Sequence, residues 1–160
     1  MKKLILSLAI ALAIALACTA CSTKDNAFTS FADHFGQSAA FAYANLDNRE
    51  VLLVSHEVFG NEEDSLKAIA ASIFALDADG KIVSLGSIRS QGTLYPVSIS
   101  DNKLMVAGHQ FVNTYEIRGE EPELVLSSHE EGDCENPQLK AMFQTFENAK
   151  PLIFRIKPEH

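Results

Sequence analysis

The chain has no tryptophan and only three cysteines. Cys18 and Cys21 lie together near the N-terminus, which leaves Cys134 alone in the remainder. A lone cysteine excludes an internal disulfide there, so the fold must be held by its core. Cys134 sits between Asp133 and Glu135, a setting that disfavours thiolate, and it reads as an inert loop thiol and not as a nucleophile. Basic residues are scarce: 13 Lys and Arg stand against 21 Asp and Glu, for a formal charge of −8. Such a chain does not seek nucleic acid and is repelled by anionic lipid, so proteins, small molecules or cations are the expected partners. Nucleophile-elbow, P-loop, dinucleotide-binding and His-Glu-x-x-His signatures are all missing. Neither an enzyme nor a bound cofactor is expected.

What is present begins at the N-terminus. Lys2 and Lys3 precede an apolar and small-residue run, Leu4 to Ala17, interrupted only by Ser7. The order of charged, apolar and then small residues is that of an export signal. The run is about 14 residues, whereas a membrane-spanning helix takes ~20. An ordinary cleaved signal and an uncleaved anchor are two readings of it.

A third comes from Thr19-Ala20-Cys21, where the segment resembles the lipobox of bacterial lipoproteins. That resemblance implies diacylglycerol on the Cys21 thiol, with Cys18 as a rival acceptor. Cys18 also stands where the family usually has Leu. Several acyl chains at ~0.8 kcal/mol per buried methylene hold firmly where one holds weakly. The expected organisation is a signal at 1–20, a lipidated tether at 21–26 and one β-rich domain at 27–160. Ser22 is not the Asp that resembles an inner-membrane retention signal. The expected address is the outer membrane facing the periplasm in a Gram-negative cell, or otherwise the outer face of the cell membrane.

The domain keeps about 140 residues after processing, enough for a core. Phe28, Phe31 and Phe35 at i, i+3, i+7, followed by Gly36, predict a short helix whose phenylalanines cap the core or dip into lipid. Apolar runs separated by turn residues follow. Ala39–Leu46 and Val51–Val54 flank Asp47-Asn48-Arg49, and Phe59–Ser65 is an acidic loop. A helix over about 62–70 leads into a strand at 71–77, which hairpins around Gly80. Leu94–Ile99 carries Pro96 and reads as an edge strand or bulge. Lys103–Ala107, Phe111–Arg118 and Glu123–Ser127 complete an antiparallel meander. Asn136 as cap, Pro137 at the first position and a Leu139, Met142, Phe143, Phe146 stripe predict a C-terminal helix. A short strand at Leu152–Ile156 ends the domain. The expected class is mainly β with flanking helices (α+β), one short at the N-terminus and one at the C-terminus.

Two stretches echo each other. Ile73–Val83 matches Thr114–Leu124, with Phe74 and Tyr115 offset by 41 residues. A period of ~40–45 is that of a four-stranded propeller blade. With Asp101–Gly108, which is similar to the DGKLYVG strand, these segments resemble quinoprotein-type propeller repeats. The repeat's tryptophan is absent. A closed propeller needs at least four blades, so the resemblance implies a blade-like meander and not a propeller. Asp47-Asn48-Arg49-Glu50 resembles an Asp-rich calcium repeat but lacks its acidic ladder.

Ser-His-Glu occurs twice, as Ser55-His56-Glu57 and Ser128-His129-Glu130, each at the end of an apolar strand. If the strands are neighbours, His56, Glu57, His129 and Glu130 would supply imidazole and carboxylate ligands to a divalent cation. The other reading is solvated loop residues. His34 and His109 read as surface and turn residues. The functional expectation is a membrane-anchored, non-catalytic binding or assembly module working with envelope proteins. The alternative is a small-ligand or metal-binding lipoprotein auxiliary to transport.

Overall fold

The structure is a computed structural model that describes residues 27–62, 65–133 and 135–156. The signal-like segment, Cys21, the tether to Asn26, Cys134 and the tail from Lys157 lie outside the described residues. The fold is mainly β among the described residues, with two large antiparallel sheets between two short helices and a third, two-stranded sheet beside them.

Each large sheet is built on a four-stranded meander. In the first, β1 (Ala40–Leu46) and β2 (Arg49–Ser55) form a hairpin. A small excursion, β3 (Val58–Phe59) paired with β4 (Lys67–Ala68), precedes β5 (Ala70–Leu76) and β6 (Ile82–Arg89). The order is β1-β2-β5-β6. In the second, β7 (Ser98–Ser100), β8 (Lys103–Gly108), β9 (Phe111–Arg118) and β10 (Glu123–Glu131) follow one another. A short β11 (Lys150–Pro151) is added beside β7.

Local chemistry sets the turns. Asp47-Asn48 and Asp101-Asn102 each join the first two strands of a sheet, and all four residues have positive φ, between 48° and 65°. Two-residue loops of this kind match the twist of the strands they join, and Asp and Asn tolerate the left-handed region best after glycine. The β5–β6 turn is tied by Asp77, whose carboxylate accepts from the Asp79 and Lys81 backbone N–H groups at 3.0 and 2.8 Å. The two echoing segments are therefore equivalent in space as well as in sequence: each is the third strand, turn and fourth strand of its sheet.

Period-two alternation then builds four layers. Ala40, Ala42, Ala44, Val51, Leu53, Ala71 and Ile73 face the second sheet, where Leu104, Val106 and Ile117 meet them. The outer face of the first sheet, with Phe41, Leu52, Val54 and Phe74, is covered by the helical residues 27–32 (α1) and the following 3-10 turn, Asp33–Phe35. Phe28 is wholly buried there, and Phe31 meets Phe74 edge-on with ring centres 4.9 Å apart. The outer face of the second sheet, with Met105, Ala107 and Val112, is covered by α2 (Pro137–Asn148) through Leu139 and Phe146. Asn136 caps α2, its side-chain oxygen accepting from Gln138 and Leu139 N–H. Phe28, Phe31 and Phe35 pack against the outer face of the first sheet, the core-capping one of the two readings of their spacing.

Four expectations are corrected. Residues 65–70 are not helical. Leu66 and Ala68 point inward, and the extended backbone here bonds to residues far away: Ile69 N–H to Glu57 O, Ser90 N–H to Ile69 O, Val97 N–H to Ala68 O and Phe154 N–H to Leu66 O. Those partners outweigh the helical spacing of Leu66, Ile69, Ala70 and Ile73. Leu94–Val97 is not strand: Gly92 has φ 87°, Tyr95 N–H closes a turn onto Gly92 O, and only Ser98–Ser100 joins the sheet. Among the described residues after α2, only Lys150–Pro151 is strand, after which Phe154 and Arg155 make single bridges to Leu66 and Phe41. The segment passes from the edge of one sheet to the edge of the other, so no regular strand can form. Finally, β10 runs on to Glu131 past a bulge at Ser127, so His129 and Glu130 lie in a strand and not in a loop.

Candidate functional site

The register of the strands gives the sandwich two distinct ends. At one end are the turns after β1, β5 and β9, together with the start of α1. Arg49 links the two sheets there. Its guanidinium donates to the carbonyl oxygens of Gly119 and Glu120, at 2.5 and 3.0 Å. Asp47 completes the link by accepting from Ile117 N–H at 3.1 Å. Around this clamp lies an open concavity of about 810 Å³, lined in part by Phe28, Asn48, Glu50, Asp77, Asp79 and Glu120. Four carboxylates stand around the Arg49 guanidinium and the Lys81 ammonium, which lies 3.9 Å from Asp79, so the rim is net anionic.

At the opposite end are the exits of β2, β6, β8 and β10. Glu57 and Arg89 form a two-pronged ion pair across the end of β5, one arm at 2.9 Å. The Arg89 hydrogen bonds hold the Glu57 carboxyl below the usual glutamate range. His56 is exposed beside this pair, on a shallow hollow of about 280 Å³. His109, in the tight β8–β9 turn, meets the Tyr95 hydroxyl through Nδ1 at 3.2 Å. His129 in β10 faces its cross-strand partner Asn113, with Nδ1 2.5 Å from Asn113 Oδ1, and its Nε2 is 3.3 Å from Glu131.

The two Ser-His-Glu segments therefore share an end but sit on different sheets. Glu57 is taken by Arg89 and His129 by Asn113 and Glu131, so the four proposed ligands do not assemble. Among the described residues no group of three or more His, Cys, Asp or Glu side chains is placed to hold a metal ion. His34 is exposed on the 3-10 turn, with Nδ1 3.0 Å from Ser30 O. The Arg49 clamp and the Glu57–Arg89 pair had no signal in the sequence. Their partners lie 70 and 32 residues away.

A second carboxylate with a lowered pKa, Glu116, lies on β9 between Lys103 and Arg118, whose hydrogen bonds cause the shift. Folded-state values below the unfolded ones mean that both glutamates stabilise the fold fully above the ordinary glutamate pKa. That contribution is lost as the pH falls through the folded values. Unfolding midpoints measured from neutral to acid pH should therefore decline at the acid end. The decline should be shallower in a Glu57→Gln, Glu116→Gln double variant.

Taken together, the residues define a four-layer sandwich of two meanders and two helices, with an anionic clamped end and a histidine-bearing end. Comparison with protein-family models, curated proteins and solved structures finds no match.

Proposed function

We propose that the protein is a cell-envelope lipoprotein, anchored to the membrane through Cys21, whose sandwich is a non-catalytic binding or assembly module. It would lie at the outer membrane facing the periplasm in a Gram-negative cell, and otherwise on the outer face of the cell membrane. The observation that carries the reading is the Lys2-Lys3, apolar run and Thr19-Ala20-Cys21 sequence of the N-terminus. The domain adds support: Asp47, Arg49 and Asp77 at one end, and Glu57 and Arg89 at the other, are engaged in turns, a clamp and an ion pair that hold the fold together. Crosslinking in intact envelopes, followed by detergent extraction and pull-down of the tagged full chain, is expected to recover an envelope protein in stable complex. Recovery of nothing above an untagged control would sink the reading.

A second reading, a small-ligand or metal-binding lipoprotein auxiliary to transport, rests on the two Ser-His-Glu segments lying at one end of the sandwich, on different sheets and without assembling as ligands. Its measure is the metal content of protein purified without chelator. Metal retained by the native chain and lost from a His56→Ala, His129→Ala double variant would support it. Equal content in both would overturn it.

A further inference from the structure

We infer that the anchored protein has a fixed polarity: the clamped end, with the turns at 47–48, 77–81 and 119–122, faces the bilayer, and the end bearing His56, Glu57, Arg89, His109 and His129 faces away. This rests on attachment at Cys21 as proposed above. Ala27 and Phe28 line the same concavity as Asn48, Asp77, Asp79 and Glu120, so the chain enters the domain at the clamped end. Only residues 22–26 separate Ala27 from Cys21. Such a piece, fully extended, reaches at most ~20 Å at ~3.3–3.6 Å per residue. The seven residues of β2 and nine of β10 already span ~20–30 Å at ~3.3 Å each. To bring the far end against its own lipid, the tether would have to run the length of the sandwich and turn around it. It is too short.

Charge does not set this polarity: Glu50, Asp77, Asp79 and Glu120, with Arg49 and Lys81 among them, leave the clamped rim net anionic, and anionic headgroups repel it, so the short tether alone holds this end toward the bilayer. Standing on this end also leaves the Glu57–Arg89 pair and the three histidines fully open to a partner in the aqueous space.

The test uses the full, lipidated chain reconstituted in vesicles of phosphatidylcholine with a fraction of phosphatidylglycerol and of headgroup-nitroxide lipid. A fluorophore is placed on Asp79→Cys or on His56→Cys in a Cys134→Ser background. Both positions are exposed, and Glu120→Cys and Gln110→Cys serve as a second pair should either variant fold poorly. Nitroxide quenching is expected to be roughly threefold stronger at 79 than at 56, for labels ~20 Å apart along the strands. Equal quenching at the two sites, or stronger quenching at 56, in protein that floats with the vesicles overturns the polarity alone. Protein that does not float refutes the lipid attachment, and the polarity with it.

Discussion

Replacing Cys21 by alanine is expected to move the protein from the membrane fraction to the soluble fraction of exported material. Incorporation of labelled palmitate should vanish with it. The size of the effect follows from acyl-chain energetics: at ~0.8 kcal/mol per buried methylene, two or three chains hold the protein firmly at the membrane, and their loss leaves nothing comparable. The domain itself offers no substitute. The whole chain carries −8, Phe28 is buried on the outer face of the first sheet, and Phe31 and Phe35 are packed against that face. Cys18→Ala is the matched control and should stay lipidated and membrane-bound. If Cys18→Ala is the variant that releases the chain, the acceptor is Cys18. If both variants stay in the membrane fraction without palmitate, the segment is an uncleaved anchor.

Phe154→Ala is expected to cost about 3–5 kcal/mol, the usual range for removing a fully buried phenylalanine. Phe154 has no exposed surface and sits in the core between the two sheets. Its backbone N–H donates to Leu66 O at 2.7 Å, while Arg155 exchanges bonds with Phe41 at 2.8 and 2.9 Å. The loss would take a large share of the ~5–15 kcal/mol that holds an ordinary domain. Urea unfolding should show a lower midpoint, and the amide of Phe41 should exchange faster. Ile153→Ala next to it, at 40 % exposure, should change the midpoint little. Comparable losses in the two variants would mean that the end of the chain does not hold the sheets together.

The parts of the fold legible in the sequence are those that local chemistry decides. Asp47-Asn48, Asp101-Asn102 and Gly80 mark turns because few other residues accept those backbone angles. Asn136-Pro137 marks a helix start because both residues suit its unpaired donors. The strands between alternate with period two because each sheet has an inner face and a face under a helix. Errors fall where partners are remote. Residues 65–70 read as helix because their four backbone partners, at 57, 90, 97 and 154, are invisible locally. Residues 128–131 read as loop because polarity marks an exposed edge strand as readily as a turn. For the candidate site, sequence placed both Ser-His-Glu segments at strand exits, and register puts them at one end of the sandwich. It had no means of showing that Arg89 and Asn113 would claim Glu57 and His129.

The helices on the two outer faces set a limit on size. A stack of similar sheets can grow by adding another copy to either open face, and repeat architectures end only where a face is made unsuitable for the next unit. Here α1 and the following 3-10 turn cover one face with Phe28, Phe31 and Phe35, and α2 covers the other with Leu139 and Phe146. Among the described residues the two meanders form a stack of two. A third meander, whether appended by gene duplication or supplied by a neighbouring molecule, would have to displace a helix before it could join. The surfaces open to recognition include the two ends, the strand edges and the exposed residues of β6 and β10.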